Sequence, residues 1–258
     1  MNEVWWVNAF AGEGAGGNAT CVVFDDDPQS KLNRANVAQA LRAPDTAFVR
    51  QGREALEIEF FSPFEGAMAF CGQGFIAADA VLRRARTVSG PIEFRARTGV
   101  VMTRVVEGAS PKSAFEIPRA QIQLIDSTEH LGDVVDSGRR RSFRRMNLAE
   151  LDALQMDPAQ VMQICKQHGL TGLCFYAAKS ESEICLRVFT ISLAGKEDAA
   201  TGGAVAGLAV LVPRGSWIVR QGSGGPLTRG ELHLDSQTQE QIISVGGRVE
   251  FVAKGSLV

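Results

Sequence analysis

The 258-residue sequence lacks the features that mark several common classes of protein. No apolar run reaches the ~20 residues that a membrane-spanning helix requires. The formal net charge of −2 gives no electrostatic reason to expect binding to nucleic acid or to an anionic membrane surface. The N-terminus has no basic segment followed by an apolar one, so no secretory leader is predicted. We therefore expect a cytoplasmic globular protein.

Cysteine and histidine form none of the patterns that bind metals or build disulfide frameworks. The five cysteines are odd in number, widely spaced and without a Cys-x-x-Cys motif, which argues against disulfides and structural zinc. None of the three histidines is near the glycine turns described below. The glycine-rich run at 12–17 is not followed by Lys-Ser/Thr, so it fits a phosphate-binding loop poorly. The sequence predicts no metal and no nucleotide cofactor.

Two similar glycine-bearing turns are present, and each is followed by an alanine-rich apolar stretch. The turns lie at residues 71–74 and 201–203, and aligning Gly74 with Gly202 gives an offset of 128 residues. Each turn is predicted to begin a buried helix, over residues 75–86 and 201–212. Because a helix N-terminus has free N–H groups and a partial positive charge, two of them across a cleft would bind an anionic small molecule.

The stretches around the turns predict runs of strands rather than a βαβ alternation. In the first half, a short helix is predicted over residues 34–41, with strands over 4–10, 20–24, 46–50, 56–62, 92–96, 100–106 and 113–117. In the second half, a helix is predicted over 158–168, with strands over 173–177, 184–190, 217–221, 231–234, 242–245 and 248–252 and glycine-rich turns between the last of them. One buried helix and several strands in each half indicate an internal duplication.

A polar stretch from residue 118 to about residue 145 has no clear periodicity, and we place the domain junction there. The predicted N-terminal domain is 1–118 and the predicted C-terminal domain is 119–245. Residues 246–258 form a final strand that is expected to return to the first domain. The basic run from Arg139 to Arg145 within this stretch is interpreted as a solvated loop.

Four residues near the turns are candidates for chemistry. Asp45 precedes a predicted strand, where turn and cap aspartates are also common. Asp198 precedes the second turn, where a helix N-terminus would lower the pKa of its carboxyl group, and a purely capping role is the alternative. Cys71 is either a small buried residue or a base or nucleophile whose thiol pKa is lowered by the helix. Gln73 cannot transfer protons at neutral pH but can orient a substrate or a carboxylate.

Several short motifs together resemble the PhzF-like phenazine biosynthesis family. In order they are Val7–Phe10 with Gly17–Val23, Pro44–Phe48, Phe61–Pro63, Cys71–Gly74, Arg187–Phe189, Glu197–Ala204, Gln221–Gly222, Arg229–Leu232 and Val245–Gly247. The resemblance spans nearly the whole chain. It implies an α+β fold of the diaminopimelate epimerase type, with two similar domains that each wrap a curved, mostly antiparallel sheet around a central helix. The active site of such a fold lies between the domains.

The resemblance also implies cofactor-independent isomerisation, in which a glutamate moves a proton with the help of a histidine and an aspartate. By position, these three residues correspond to Asp45, Gln73 and Asp198. Asp45 keeps a carboxylate on a side chain that is shorter by one C–C bond, about 1.5 Å, whereas Gln73 has no titratable group. Epimerase relatives use two cysteines, but here Cys71 is matched by Ala199 at the offset of 128, so a two-thiol racemase is not expected. A mixed pair of Cys71 with Asp45 or Asp198 stays open.

We therefore predict a cofactor-free isomerase that moves a proton on a small carboxylate-bearing biosynthetic metabolite. Asp45 is the predicted acid/base, and Asp198 and Gln73 are predicted to hold polar groups of the substrate. The predicted substrate-binding residues are Asn18, Cys71, Gly72, Gly74, Thr201, Gly202 and Gly203. Two other functions stay open, namely lyase or pericyclic chemistry in the same cleft and non-catalytic binding of a small molecule. The resemblance also implies a homodimer.

Overall fold

The computed structural model describes residues 2–13, 16–27, 32–53, 55–107, 112–225, 228–236 and 241–257. The strands in these ranges are β1 Glu3–Ala11, β2 Asn18–Phe24, β3 Asp45–Gln51, β4 Leu56–Ser62, β5 Gly66–Met68, β6 Ile92–Ala96, β7 Gly99–Val106, β8 Lys112–Pro118, β9 Gln123–Thr128, β10 Gly132–Asp136, β11 Arg140–Arg145, β12 Gly172–Ala178, β13 Glu183–Thr190, β14 Glu197–Asp198, β15 Ser216–Gln221, β16 Gly230–Asp235 and β17 Ile242–Ser256. The α-helices are α1 Arg34–Leu41, α2 Gly72–Arg86, α3 Leu148–Ala153, α4 Pro158–His168 and α5 Gly202–Leu208.

The order of strand pairings occurs twice along the chain. In the first half, β2 is parallel to β3, β3 is antiparallel to β4, and β4 is antiparallel to β5 and parallel to β6. In the second half, β11 to β15 repeat these pairings in the same directions. The antiparallel ladders β6–β7–β8 and β15–β16–β17 then follow. This repetition confirms the predicted internal duplication and the mostly antiparallel α+β architecture.

Strand β17 connects the two repeats. It is antiparallel to β16 and β8 through its first part and to β1 through its second part. The predicted glycine turn at Gly246–Gly247 is wrong, because these residues lie inside one continuous strand. A Cβ at Gly247 would be 2.6 Å from the Phe10 side chain, so the glycine allows a close approach of two strands rather than a turn. The domain boundaries at residues 118 and 245 stay a prediction.

Helix α2 is buried along most of its length, as its apolar sequence predicts. Its first eight residues are buried, and it packs against β1, β2, β3, β7, β8 and β17. Phe75 on this helix lies in a cluster of rings with Phe60, Phe70, Phe94 and Phe115. Removal of this apolar surface from water is the main force that holds the helix against the strands. The packing of these rings therefore fixes the position of the first residues of α2.

Helix α5 is fully buried but shorter than predicted. It ends at Leu208 rather than at Val212. Beyond Leu208 the backbone tightens, since the N–H groups of Ala209 and Leu211 donate to carbonyl groups three residues earlier. Pro213 follows, and the residue before a proline is disfavoured in the α conformation. The predicted helix is therefore right at its start and wrong at its end.

The polar stretch after β8 contains regular structure that the sequence pattern does not predict. Strands β9, β10 and β11 form an antiparallel meander, and β11 continues the sheet by pairing with β12. The interpretation of Arg139–Arg145 as a solvated loop is wrong, because Arg139 and Arg141 are buried while Arg140 is exposed. Arg141 belongs to a buried segment of β11 at 141–143, and Arg139 immediately precedes the strand. Helix α3, which begins with a capping box of Asn147 and Glu150, was also not predicted.

No helix within the described ranges is long and apolar enough to cross a membrane. The other predicted helices, over residues 34–41 and 158–168, agree with α1 and α4. Asp157 caps α4 by accepting a hydrogen bond from the Ala159 N–H, and Pro158 occupies the first helical position, as the sequence predicts.

Candidate active site

The two glycine turns bring the starts of α2 and α5 against each other. A Cβ on Gly72 would be 2.9 Å from the Gly202 Cα, and a Cβ on Gly202 would be 3.1 Å from the Gly72 Cα. Glycine at both positions is what permits this contact. The N-cap residues of the two helices are Cys71 and Thr201, so the helix starts are offset by 130 residues rather than 128. The counterpart of Cys71 is therefore Thr201, and the assignment of Ala199 to that place is wrong.

A small cavity of about 20 Å³ lies beside this contact. Eight of the predicted site residues line it, namely Asp45, Cys71, Gly72, Gln73, Asp198, Thr201, Gly202 and Gly203. Five further residues line it without having been predicted, namely Phe70, Arg139, Arg141, Thr190 and Ser192. Asn18 lines an adjoining cavity together with Asp198. Gly74 lines neither, because it faces Phe60 and donates its N–H to the Cys71 Sγ.

Asp45 is the first residue of β3 and is half-buried at the cavity wall. Its Oδ2 accepts a hydrogen bond from the Cys71 thiol, with the sulfur 3.3 Å away. Burial and the charge of Asp198 raise the pKa of Asp45 to about 7, against the smaller effects of the Cys71 hydrogen bond and the Arg139 charge. A carboxyl group with a pKa near 7 can both accept and release a proton at neutral pH.

Cys71 caps helix α2 and is a neutral thiol. Its Sγ accepts a hydrogen bond from the Gly74 N–H at 3.4 Å. Burial and the neighbouring Asp45 carboxylate raise the pKa of Cys71 well above its ordinary value. The suggestion of a lowered thiol pKa at the helix start is therefore wrong, because desolvation and a like charge outweigh the helix N-terminus.

Asp198 is buried and held by several hydrogen bonds. Its Oδ1 accepts from the Asn18 Nδ2 at 2.5 Å and its Oδ2 accepts from the Thr201 Oγ1 at 2.6 Å. Burial raises the pKa of Asp198 to about 6, although these hydrogen bonds, the Ala200 N–H and the Arg141 charge act to lower it. The predicted lowering of this pKa is wrong, since desolvation is the larger effect.

Thr201 is the N-cap residue of α5, so Asp198, three residues earlier, does not occupy the cap position that was considered for it. The Thr201 hydroxyl makes no capping hydrogen bond, because it donates to Asp198. Gln221 supports this arrangement, since its Nε2 donates to the Thr201 Oγ1 at 2.8 Å and to the Asp198 backbone oxygen at 2.9 Å. Its Oε1 accepts from the Thr201 N–H at 2.9 Å. The carboxylate of Asp198 therefore has a fixed orientation.

Gln73 and Asn18 link the first half of the chain to Asp198. The Asn18 Nδ2 donates to the Gln73 Oε1 at 2.8 Å as well as to Asp198 and to the Ala200 carbonyl oxygen. The Gln73 Nε2 donates to the Thr20 Oγ1 at 3.3 Å. Gln73 thus orients the amide of Asn18, and through it the carboxylate of Asp198.

Four backbone N–H groups beside the cavity have no acceptor in the described part of the chain. They belong to Gly72, Gln73, Gly202 and Gly203, the first two residues of each helix. Unpaired donors at a helix start suit an anionic oxygen.

Two arginines of the basic run reach the same cavity. The Arg139 Nη2 donates to Glu65 at 2.5 Å, and its Nη1 lies 3.2 Å from the Met68 Sδ. The Arg141 Nη1 donates to the Arg139 carbonyl oxygen at 3.3 Å. Burial and the charge of Arg139 lower the pKa of Arg141 to about 10, so the guanidinium keeps its charge at neutral pH.

Comparison with known proteins identifies the family of this chain. A model of the PhzC-PhzF family, described as phenazine biosynthesis-like protein, matches residues 7–222. The chain belongs to the PhzC-PhzF family. The uncharacterized isomerase YddE of Salmonella typhimurium is 24% identical over 246 residues, which cover 85% of this chain and 80% of that protein.

Two solved structures show the fold of this PhzC-PhzF protein. A PhzF-family phenazine biosynthesis protein from Enterococcus faecalis superposes with a TM-score of 0.77 at 19% identity, covering 100% of this chain and 99% of the other. A hydroxyproline epimerase from Agrobacterium vitis, with trans-4-hydroxy-L-proline bound, superposes with a TM-score of 0.65 at 12% identity, covering 98% and 91%. The fold is the diaminopimelate epimerase-like α+β fold that the sequence motifs imply.

Arg139 and Arg141 are the main site residues that sequence reasoning missed in this PhzC-PhzF protein. A signal for them exists in the repeated strand order. Thr20 of β2 pairs with the first residue of β3, and Arg141 of β11 pairs with the first residue of β12. Aligning the two repeats therefore matches Arg141 with Thr20 and Arg139 with Asn18. Thr20 and Asn18 each form a hydrogen bond with Gln73 at the site. In the described residues, no group of three or more His, Cys, Asp or Glu side chains is arranged to hold a metal ion.

Proposed function

We propose that this protein is an isomerase that moves a proton between carbon atoms of a small carboxylate-bearing metabolite without a cofactor. The observation that carries the proposal is Asp45, a carboxyl group with a pKa of about 7 at the wall of a cavity rich in hydrogen-bond donors. The isomerase name of the Salmonella relative and the epimerase name of the Agrobacterium structure support the same class of reaction.

The proposed reaction has two steps. The unpaired N–H groups at the helix starts hold the carboxylate of the substrate. The Asp45 carboxylate then removes a proton from a substrate carbon, and the electron pair of the broken C–H bond spreads into the conjugated system of the substrate. The Asp45 carboxyl group returns the proton to a different carbon of that system. No atom is oxidised or reduced overall, so the transfer balances without a redox partner.

The other site residues position the substrate and Asp45. Asp198 and Gln73, which share the hydrogen bonds of Asn18, hold polar groups of the substrate. The mixed pair of Cys71 and Asp45 is favoured over Cys71 and Asp198, because the thiol donates to the Asp45 carboxylate at 3.3 Å. With its raised pKa, Cys71 serves this pair as a neutral hydrogen-bond donor.

The proposal is tested by solvent deuterium incorporation. Aminocyclohexadiene carboxylates, amino acids and a metabolite extract are each incubated in deuterated water with wild type, Asp45→Asn or Glu129→Gln, an exposed control. Mass spectrometry and NMR then locate deuterium on carbon. We expect incorporation with wild type and the control and its loss with Asp45→Asn. An Asp45→Asn enzyme with full turnover contradicts the role of Asp45.

Two other results would favour the other functions. Conversion without deuterium on carbon, after a control for internally recycled protons, favours lyase or pericyclic chemistry. Stoichiometric binding of an extract component without its conversion favours a binding protein. The homodimer, the cytoplasmic location and the absence of nucleic-acid and membrane partners stay predictions.

A further inference from the structure

Arg141 is a buried cation that forms no salt bridge with any residue the structure describes. Its side chain is buried on β11, with 3% of the residue exposed, and lines the same cavity as Asp45 and Asp198. Within the described residues, its only hydrogen bond runs from Nη1 to the Arg139 carbonyl oxygen. Its Nε is enclosed and has no partner, and its Nη2 donates to no protein atom in the same ranges. Nε and Nη2 form the edge of a guanidinium that can bind a carboxylate through two parallel hydrogen bonds.

The charges of Glu65 and Asp198 act on Arg141 without a direct contact, because each carboxylate is held by other residues. Arg139, the adjacent cation, already pairs with Glu65 at 2.5 Å. Asp198 is held by Asn18 and Thr201, and Asp45 by Cys71, so neither carboxylate forms an ion pair with Arg141. An unpaired charge taken out of water is costly unless an opposite charge joins it.

The repeat shows why the guanidinium lies at this place. In the first half, the second residue of α2 is Gln73, and its amide contacts Thr20. In the second half, the second residue of α5 is Gly203, and a Cβ there would be 3.1 Å from the Arg141 Nη1. Arg141, the counterpart of Thr20, therefore extends into space that a side chain at 203 would fill. A neutral amide in one repeat is replaced by a cation in the other.

We propose that Arg141 binds the carboxylate of the substrate and limits the site to anionic acids, so that the corresponding amides are rejected. This inference rests on the proposed function in that it names the residue of the same site that selects the substrate class. The carboxylate that the N–H groups at the helix starts hold would also pair with the Nε–Nη2 edge, which has no partner in the described chain.

The test is binding of simple carboxylates to the intact protein. Thermal unfolding of wild type, Arg141→Met, Arg141→Lys and Arg140→Met is measured in formate, acetate and benzoate, each against sodium chloride at the same ionic strength. Arg140 is the matched control, since it lies next to Arg141 on β11 with 57% of its side chain exposed. Circular dichroism confirms that each variant is folded, and benzamide replaces benzoate as the neutral probe.

We expect at least one carboxylate to raise the unfolding temperature of wild type and of Arg140→Met, with no effect of benzamide. Arg141→Met should bind that carboxylate at least ~10-fold more weakly, and Arg141→Lys should fall between them because it keeps the charge but loses the planar fork. An equal response of Arg141→Met and wild type would overturn the inference. So would the absence of any carboxylate-specific response in wild type.

Failure of this inference can be told apart from failure of the proposed function. Asp45→Asn should keep the carboxylate response, because it leaves Arg141 in place. If that response depends on Arg141 while no substrate exchanges deuterium, the anion site stands and the isomerase proposal fails. If deuterium exchange depends on Asp45 while Arg141→Met leaves KM and the rejection of amides unchanged, the isomerase proposal stands and Arg141 has no role in selection.

Discussion

The two repeats of the chain build the same scaffold but equip the starts of their central helices differently. In the first repeat, the N-cap residue Cys71 donates to Asp45, a carboxylate with few other partners. In the second, the N-cap residue Thr201 donates to Asp198, a carboxylate that Asn18 also holds. Asp45, which has few hydrogen-bond partners, is suited to proton transfer. Asp198, which has more of them, is suited to orienting the substrate. The two carboxylates come from different places in the repeats, since Asp45 begins β3 whereas Asp198 lies on β14, the strand that corresponds to β5.

The repeats also reach across to each other from equivalent positions. Asn18, the first residue of β2, donates to Asp198 on β14. Arg139, its counterpart before β11, donates toward Met68 on β5, the strand that corresponds to β14. Each wall of the cavity is therefore completed by the opposite repeat. The chemistry of these contacts differs, because an amide donates to a carboxylate on one side, whereas on the other a guanidinium pairs with the Glu65 carboxylate and contacts the Met68 thioether.

The largest expected effect comes from removing the acid of the first repeat. Asp45→Asn should lower the rate of deuterium exchange by at least ~100-fold, since general acid–base catalysis contributes factors of this size. Asp45→Glu restores a carboxylate and should recover part of the rate. Single-turnover exchange measured by mass spectrometry checks both variants. Equal rates for Asp45→Asn and Asp45→Glu would contradict the role of Asp45 as the acid/base.

The contact between the two helix starts should be sensitive to one added methyl group. Gly72→Ala places a Cβ against the Gly202 Cα and the Phe115 ring, so we expect a loss of about 1–3 kcal/mol in the free energy of unfolding. Gly225→Ala, where a Cβ would have no neighbour within 4 Å, should change it by less than about 0.5 kcal/mol. Urea unfolding of both variants measures the difference, and an unaffected Gly72→Ala protein would show that the helices can separate freely.

Neutralising the acid of the second repeat should shift the pH dependence of the first. The charge of Asp198 raises the pKa of Asp45, so Asp198→Asn should move the acidic limb of kcat/KM from about pH 7 to lower pH. A limb that stays in place would show that the two carboxylates are not coupled.

The same pKa has a consequence for stability. Because the pKa of Asp45 is raised on folding, its contribution is most favourable below the unfolded value of about 4 and is lost as the pH rises through about 7. Wild type should therefore lose stability relative to Asp45→Asn between pH 5 and pH 8, as chemical unfolding at both pH values can measure.

The smallest expected effect is at the thiol of the first repeat. Cys71→Ser keeps a capping group and a hydrogen-bond donor, so its turnover should fall by less than ~10-fold. Because burial and Asp45 raise the thiol pKa, iodoacetamide at pH 7.5 should leave Cys71 of the folded protein unmodified. Rapid alkylation of Cys71, located by peptide mass spectrometry, would show instead that this thiol ionises readily in the folded protein.

Much of the fold follows from local sequence patterns. The buried helix α2, the capped helix α4 and most strands are predictable because their side-chain periodicity reflects burial within the element itself. The strand β9 is not, since all of its described side chains are exposed and leave no alternation to detect. The two repeats were recognisable from their glycine turns, but the offset was two residues short because Gly74 was aligned with Gly202, whereas Gly72 and Gly202 are the residues that begin the two helices.

The candidate site was predictable in position and less so in chemistry. Asp45, Cys71 and Asp198 do line one cavity, as the motifs imply. Their pKa values could not be read from neighbours in sequence, because the depth of burial depends on the whole fold. Arg141 was missed for the same reason, since a run of arginines is ordinarily solvated and its burial arises from the register of β11 with β12.

Strand β17 has a consequence for how the protein folds. It pairs Val4 with Gly255, so the first strand of the chain acquires this neighbour only when nearly the whole sequence has been ordered. Pairing of such distant segments costs loop-closure entropy before the contacts between them have formed, and this slows folding. Until β17 docks, the apolar edge of β1 is an unpaired strand open to pairing with other chains. Refolding should accordingly end in a slow step whose yield falls as protein concentration rises.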